Sequence, residues 1–159
     1  MLVYLAGAID LVSKEDRNNW RTDAKEALNK VGISTVDPTG TFTYVKSGIE
    51  IEDAKTSKDL IRINKINMDM SDIVLMVLSK KLPSIGTPIE LYMCHEANKE
   101  IVVLWDGDMN FIPAYIEGLV NRKNIVGTFD QAIELVIDKC QDIREGYKKK
   151  ASYVKVHNN

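Results

Sequence analysis

The 159-residue chain is poor in cysteine and histidine. Its two cysteines, Cys94 and Cys140, lie far apart, and its two histidines are His95 and His157. These four residues lack the short ligand spacing of a zinc site, so no metal site is expected. The small number of cysteines is typical of a reduced compartment, and we predict a cytoplasmic protein.

Charge of one sign and long apolar runs are also missing. The chain has 21 basic and 23 acidic residues, a formal net charge of -2 that gives no support for binding a nucleic acid polymer. Asp10 ends the first apolar run too early for a signal peptide, and no run is long enough to cross a bilayer. We therefore predict neither a nucleic-acid partner nor a membrane partner.

The glycine fingerprints of nucleotide-binding loops are absent as well, since neither GxGxxG nor GxxxxGK[ST] occurs. The composition is otherwise that of a globular protein, with 45% hydrophobic and 28% charged residues. The length suits a single domain, which we assign to residues 1–147. Residues 148–159 form a polar C-terminal tail that is expected to be extended or disordered.

Apolar, β-branched runs alternate with amphipathic segments along the chain. Strands are predicted at residues 1–6, 33–36, 73–78, 101–105 and 124–126. Helices are predicted at residues 14–31, 57–71, 88–97, 111–119 and 129–146. This alternation predicts a doubly wound α/β domain with a five-stranded parallel sheet and flanking helices, Rossmann-like or flavodoxin-like. The polar segment at residues 39–47 is predicted to be a mobile lid.

The stretch from Ser84 to Leu91 reads as the corner between the third strand and the next helix. Gly86 would allow a backbone path that other residues resist. Thr87 is the predicted N-cap, and Pro88 suits the first helical position. Glu90 would then lie in the first turn, where free amide groups favour a carboxylate.

The loops after the first three strands should meet at one edge of the sheet, where such folds bind ligands. The small or polar residues in or near these loops are Tyr4, Gly7, Asp10, Asp37, Ser84, Gly86 and Glu90. This set has no cysteine nucleophile and no histidine base. A carboxylate with a tyrosine and a serine nearby suits attack on an electrophilic sugar carbon.

Three motifs carry a resemblance to a known family: Val3-Tyr4-Leu5-Ala6-Gly7, Ser71-Asp72-Ile73-Val74, and Ser84-x-Gly86-Thr87-x-x-Glu90-Leu91. They resemble the nucleoside 2-deoxyribosyltransferase family, which includes deoxynucleoside monophosphate N-glycosidases. The resemblance runs from about residue 2 to 137. It implies that Glu90 is the nucleophile and that Tyr4 orients it. It implies no cofactor, because the base itself is both leaving group and acceptor.

The resemblance also implies nucleosides and nucleobases as small-molecule partners. Ser84 lies where the family contacts the sugar's 5′ end, and a serine there is typical of the monophosphate hydrolases. Those hydrolases have an arginine where this chain has Asp10, and a carboxylate would repel a 5′-phosphate. We therefore favour nucleosides, with the monophosphate N-glycosidase as the alternative. A non-catalytic nucleotide sensor on the same fold is a third interpretation.

Two further positions follow from the resemblance. Asn64 stands where the family usually has an aspartate that handles the leaving base. Tyr115 lies where a neighbouring subunit covers the base, so a homo-oligomer is expected, with Trp105 and Phe111 as an exposed contact region. Gly7, Asp37 and Gly86 complete the predicted substrate-binding set.

Each of these residues also has a purely structural interpretation. Glu90 could be a helix-start carboxylate paired with the helix dipole, and Tyr4 could be an ordinary core tyrosine. Asp37 is the residue for which a turn role is favoured. Asn64 and Tyr115, taken without the resemblance, also favour structural roles.

Overall fold

The structure, a computed structural model, describes residues 1–9, 12–39, 57–80 and 84–157. Asp10 lies outside these ranges, as does the predicted lid beyond residue 39. Within the described ranges, no helix combines the length and the apolar character that crossing a membrane requires.

The described chain alternates between strands and helices. The strands are β1 (Leu2–Ala6), β2 (Ser34–Val36), β3 (Ile73–Ser79), β4 (Glu100–Asp106) and β5 (Ile125–Val126). The helices are α1 (Lys14–Lys30), α2 (Ser57–Met70), α3 (Gly86–Glu96), α4 (Ala114–Leu119) and α5 (Phe129–His157). A short 3-10 turn at Arg122–Asn124 precedes β5. The element bounds match the sequence prediction to within three residues, apart from the end of the last helix.

The five strands form one sheet in the order β2-β1-β3-β4-β5, and every adjacent pair is parallel. The predicted doubly wound α/β fold is therefore confirmed. The chain moves from β1 to β2 on one side and then returns to β3 on the other. Open sheets of this order bind ligands in the crevice beyond the carboxyl ends of the two strands where the direction reverses, here β1 and β3.

Side chains of β1 alternate between two apolar cores, one on each face of the sheet. Tyr4 and Ala6 belong to the core covered by α2, α3 and α4. Val3 and Leu5 belong to the core covered by α1 and α5. The ends of β1 are therefore flanked by helices from both layers, and this brings side chains of opposite layers to one place.

Two sequence predictions about the outer parts of the fold are wrong. The last helix continues to His157, so the backbone of residues 148–157 is helical and not extended. Gly146 costs a helix only about 1 kcal/mol relative to alanine, which does not end a helix whose next residues are good helix formers. Trp105, predicted to be exposed, is buried against the core. Its Nε1 donates to the Asp108 carbonyl over 3.2 Å, so its polar atom has a partner there. Phe111 is 70% exposed, as predicted.

Candidate active site

Tyr4 brings a hydroxyl group from the centre of the sheet to α3. Its side chain is fully buried, and its hydroxyl donates to Glu90 Oε1 over 3.2 Å. Burial, and then the negative charge of Glu90, raises the pKa of Tyr4 far above its ordinary value. The phenol therefore stays protonated and acts as a hydrogen-bond donor to the carboxylate.

Glu90 lies partly buried on α3 and accepts a second hydrogen bond at the same oxygen. Asn64 Nδ2, from α2, donates to Glu90 Oε1 over 3.1 Å. No described residue donates to the other oxygen, Oε2. Burial raises the pKa of Glu90 to about 7, although the bonds from Tyr4 and Asn64 and the charge of Arg21 oppose that rise. The two described donors thus orient the carboxylate through one of its oxygens.

The start of α3 differs from the sequence prediction. The helix begins at Gly86, so Thr87 is not its N-cap, and Glu90 lies in the second turn instead of the first. Ser84 Oγ accepts the Thr87 amide over 3.1 Å and shares a 2.8 Å hydrogen bond with Thr87 Oγ1. The first amides of a helix have no partner within the helix. Because α3 begins at Gly86, Ser84 lies close enough to accept the hydrogen bond of one of them, the Thr87 amide. This placement argues against the interpretation of Glu90 as a dipole-paired carboxylate, since that pairing is confined to the first turn.

Gly86 does not have the unusual backbone conformation that the sequence suggested. Gly32 has a φ of +71°, the left-handed conformation, whereas Gly86 has an ordinary φ. A Cβ atom added at Gly86 would meet nothing within 4 Å. The glycine therefore leaves open space beside the start of α3, and backbone strain is not the reason for it.

Arg21, on α1, is a site residue that the sequence reasoning missed. Its side chain is fully buried, and its guanidinium crosses the carboxyl end of β1 from the opposite helix layer. Nη2 donates to the Gly7 carbonyl over 2.9 Å, Nε to the Leu5 carbonyl over 3.4 Å and Nη1 to the Ala8 carbonyl over 3.5 Å. Nη1 also donates to the Arg17 carbonyl. A signal was present, because Arg21 shares the i, i+3, i+7 stripe of Ala24 and Leu28, where an arginine needs an explanation.

Asp37 follows β2 and pairs with cations from α1. Lys25 Nζ lies 2.6 Å from Asp37 Oδ2, and Arg21 Nε lies 3.6 Å from Oδ1. The Thr39 amide and hydroxyl also donate to Oδ1, over 2.8 Å and 2.6 Å. Burial alone would raise the pKa of Asp37, but the hydrogen bonds from Lys25 and Thr39 outweigh it and lower the pKa. All these contacts are those of a paired turn residue, and a substrate contact at Asp37 stays a prediction.

Gly7 packs where a side chain would not fit. A Cβ atom there would lie 2.8 Å from Trp20 Cζ2 and 3.2 Å from Arg21 Nη2. The Arg21 guanidinium also stacks on the Trp20 ring, 4.4 Å from its centroid. Gly7 is therefore needed for the approach of α1 to the end of β1. Its predicted contact with substrate is not tested by this packing.

The structure thus brings Tyr4, Asn64 and Glu90 into contact and sets Ser84 at the start of the same helix. Tyr115 is on α4 and is 76% exposed, so its predicted role over a neighbouring subunit's base stays a prediction. Cys94, one turn after Glu90, is buried, and burial raises its pKa to about 12. The thiol is therefore neutral and not an alternative nucleophile. Among the described residues, no group of three histidine, cysteine or acidic side chains is arranged for a metal.

These contacts hold the Glu90 carboxylate in one direction, and an oriented carboxylate is chemically capable of acting as a nucleophile. The pKa of Glu90 lies near neutrality, so an ionised form is available, and two neutral donors fix its direction.

Comparison with known proteins bears on the family of the chain. The family model for nucleoside 2-deoxyribosyltransferase-like proteins matches residues 1–107. No curated protein matches the chain.

Three solved structures share the fold. A 2-deoxyribosyltransferase from Bacillus psychrosaccharolyticus has a TM-score of 0.62 at 14% identity, covering 84% of this chain and 90% of that one. A CMP N-glycosidase from Clostridium botulinum has a TM-score of 0.55 at 13% identity, covering 86% and 98%. A 2-deoxyribosyltransferase from Leishmania mexicana has a TM-score of 0.52 at 15% identity, covering 67% and 65%. At these identities the likeness establishes the fold alone.

Proposed function

The chain belongs to the nucleoside 2-deoxyribosyltransferase-like family, and from that premise we propose that it moves 2-deoxyribose between nucleobases through a covalent ester on Glu90. The observation that carries the proposal is the 3.2 Å hydrogen bond from the buried Tyr4 hydroxyl to Glu90. It joins two residues 86 positions apart in the sequence at the edge where this fold binds ligands. The buried hydroxyl of Tyr4 needs a hydrogen-bond partner, and the partner it has is the carboxylate at that edge.

The proposed reaction has two steps. Oε2 of the ionised Glu90 attacks C1′ of the deoxyribose, and the bond from C1′ to the base nitrogen breaks. The departing base keeps the bonding electron pair and takes up a proton from solvent water. A nitrogen of a second base then attacks C1′, the ester bond breaks, and the Glu90 carboxylate returns, with a proton lost from the incoming base. Oε1 stays bonded to Tyr4 and Asn64, which hold the carboxylate in line and stabilise it as the leaving group of the second step.

Asn64 limits how the leaving base is protonated. An amide cannot supply a proton as a carboxylic acid would. Its Nδ2 is bonded to Glu90, whereas its Oδ1 is buried and has no hydrogen-bond partner among the described residues. A buried acceptor without a donor is costly, so we propose that a donor group of the bound nucleoside bonds to it.

A second candidate is the hydrolysis of 2′-deoxynucleoside 5′-monophosphates by the same covalent step, with water replacing the second base. Ser84 is the residue that favours it, because a serine does not repel a phosphate. Its hydroxyl, however, already bonds to the amide and hydroxyl of Thr87. Asp10 would repel a phosphate, so nucleosides remain the preferred substrates. A third candidate, a nucleotide sensor, requires no turnover at all.

The proposed active form is a homo-oligomer in which Tyr115 of one copy approaches the base held by another. Large apolar side chains are exposed on the layer that carries Glu90. They are Ile61, Ile66, Met70, Ile85, Ile89, Tyr92, Phe111 and Tyr115. Ile85, Ile89 and Tyr92 follow one another at helical spacing on α3, and contiguous exposed apolar surface is typical of a surface that contacts another protein.

An exchange assay separates the three candidates. The protein is incubated with deoxyinosine, with and without adenine. Formation of deoxyadenosine supports transfer, and free deoxyribose without exchange supports hydrolysis. Absence of both products, with nucleoside binding retained in Glu90→Ala, supports the sensor. Repeating the assay with deoxyinosine 5′-monophosphate tests whether the charge near the 5′ end excludes nucleotides.

The covalent ester has its own test. A 2-fluoro-2-deoxy nucleoside should add one sugar mass to the intact protein, and digestion should locate the adduct on the peptide containing Glu90. Glu90→Ala should acquire no adduct, whereas Glu96→Ala, changed at an exposed glutamate of the same helix, should be labelled like the parent. Labelling of a different peptide would contradict the assignment.

A further inference from the structure

Arg21 is the largest fully buried side chain in the described part of the chain. A buried charge is costly unless it is paired and hydrogen-bonded, and an apolar residue of similar size would fill the same space without that cost. The position lies on the apolar stripe of α1 beside Ala24 and Leu28, where leucine or methionine would pack. The guanidinium therefore needs a reason beyond packing.

The first reason is that the guanidinium forms hydrogen bonds with the backbone that follows Tyr4. The guanidinium donates to the carbonyls of Leu5, Gly7 and Ala8. These three groups lie at and just after the end of β1, at the edge where Glu90 is held. A planar fork of five donors can bond several acceptors at once, which a lysine cannot do in the same geometry.

The second reason is electrostatic. Among the described residues, Arg21 is the cation whose charge acts on Glu90, where it opposes the rise in pKa that burial causes. The other titratable groups near Glu90 are Tyr4 and Cys94, and burial raises the pKa of both, so both are neutral. Around Arg21 itself lie Asp37, Tyr4, Glu90 and Arg17, and burial lowers the pKa of Arg21 to about 10, which leaves it charged at neutral pH.

We propose that Arg21 is a positioning residue that holds the backbone of residues 5–8 in one shape and presents a fixed positive charge to the Tyr4–Glu90 pair. The charge favours the ionised form of Glu90, the form that attacks the sugar. The inference rests on the proposed glycosyl transfer for its purpose. Its physical content, a charge acting on one carboxylate, can be measured without any turnover.

The test is a pH titration of the Glu90 carboxyl carbon by NMR in protein labelled at glutamate Cδ, with Glu90→Gln identifying the signal. The parent midpoint is expected near the pKa of about 7. Arg21→Met should raise it by about 1 pH unit or more, because a nearby opposite charge is lost. Arg21→Lys, which keeps a charge, should raise it less. Arg122→Met is the matched control, since Arg122 also donates to two backbone carbonyls but lies beside β5. Its midpoint should equal that of the parent.

A second variant gives a shift of opposite sign. Asp37→Asn removes the carboxylate that partly neutralises Arg21, so it should lower the Glu90 midpoint. A role confined to packing would change stability in both variants and move neither midpoint. An unchanged midpoint in folded Arg21→Met overturns the proposal. If Arg21→Met does not fold, an unchanged or raised midpoint in Asp37→Asn overturns it. Failure of the proposed function would instead appear as no product in the exchange assay, with the titration still readable.

Discussion

The layer formed by α1 and α5 buries a charged side chain, whereas the layer formed by α2, α3 and α4 exposes apolar side chains to solvent. In the first layer Arg21 is fully buried, and among the described residues of this layer only Val31 and Tyr147 are large apolar side chains exposed to solvent. In the second layer Glu90 is partly buried, and every helix has large apolar side chains on its outer surface.

This difference assigns different work to the two layers. The α1/α5 layer holds the end of β1 from behind through the bonds from Arg21 to backbone carbonyls. The α2–α4 layer supplies the carboxylate and its amide partner, Glu90 and Asn64. Tyr4 on β1 links the two layers. The backbone that follows it accepts hydrogen bonds from Arg21 of one layer, and its hydroxyl donates to Glu90 of the other. One side of the site is therefore held by hydrogen bonds to the backbone, and the other side carries the carboxylate on a layer with exposed apolar side chains.

The comparison predicts that changing the carboxylate of the α2–α4 layer removes the chemistry and leaves the fold. Glu90→Gln should lower deoxyribosyl transfer by about 10³-fold or more, because an amide cannot form the ester. The amide carbonyl can still accept from Tyr4 and Asn64, so the unfolding midpoint should not fall at neutral pH. Exchange kinetics and thermal unfolding measure the two effects. Glu96→Gln is the control, and transfer close to the parent rate in Glu90→Gln would remove the nucleophile from the proposal.

The burial of Glu90 in this layer also predicts how stability depends on pH. Its pKa is about 7 in the folded protein against an ordinary value of 4.5. Between these values the folded state holds a proton that the unfolded state has lost, so the free energy of unfolding falls as pH rises through this range. The total fall from this group is about 3 kcal/mol, since each pKa unit corresponds to about 1.4 kcal/mol.

Glu90→Gln lacks this proton and provides the reference for the measurement. The variant should gain stability relative to the parent as pH rises from below 4.5 to above 7, as followed by urea unfolding at several pH values. The parent's transfer rate should rise with pH, reach half of its maximum near pH 7 and level off above that value, because only the ionised carboxylate attacks. A stability difference that does not change with pH would mean that Glu90 is as well solvated in the folded chain as in the unfolded one.

The link between the layers is tested at Tyr4. Tyr4→Phe removes the donor to Glu90 Oε1 and leaves Asn64 as the remaining described donor. A hydrogen bond to a charged group is worth about 1.5–3 kcal/mol, so transfer should fall by roughly 10- to 100-fold. The pKa of Glu90 should rise, which would move the pH profile to higher values. Tyr147→Phe, an exposed tyrosine of α5, should behave as the parent. Full activity in Tyr4→Phe would leave Tyr4 a core residue only.

The two layers also differ in how far the sequence revealed them. Apolar periodicity was sufficient to place the strands and the helices, because a five-stranded parallel sheet buries both faces and leaves alternating runs. The spacing at the start of α3 led to Glu90, and the motif on β1 led to Tyr4. Arg21 was missed because periodicity counts apolar residues, and an arginine on the buried stripe is invisible to that count. The helical tail was missed because a glycine and three lysines were taken as a stop.

Other parts of the site depended on contacts that no local pattern encodes. Ser84 carries the hydrogen bond expected of Thr87, which depends on where the chain enters the helix. Asp37 is held by Lys25 and Arg21 from a helix that precedes it in the chain, so its turn role could be stated from sequence but its partners could not. Trp105 was expected in an exposed contact region of an oligomer, yet β4 continues to Asp106 and keeps it in the core.

The smallest expected effect concerns the outer surface of the α2–α4 layer. Ile85, Ile89 and Tyr92 follow one another at i, i+4 and i+7, so they form one exposed stripe at α3, and Tyr92 is 48% exposed. If a second copy covers this stripe, Tyr92→Lys should weaken self-association by about tenfold or more, because a charge would be buried without a partner. Tyr147→Lys on the opposite layer should change nothing. Light scattering over a dilution series measures both. Activity should decline together with the oligomer when Tyr92 is changed, because Tyr115 would no longer reach the neighbouring site. A monomer with full activity would contradict this. It would mean that one chain holds the whole site and that the exposed apolar residues contact a different partner.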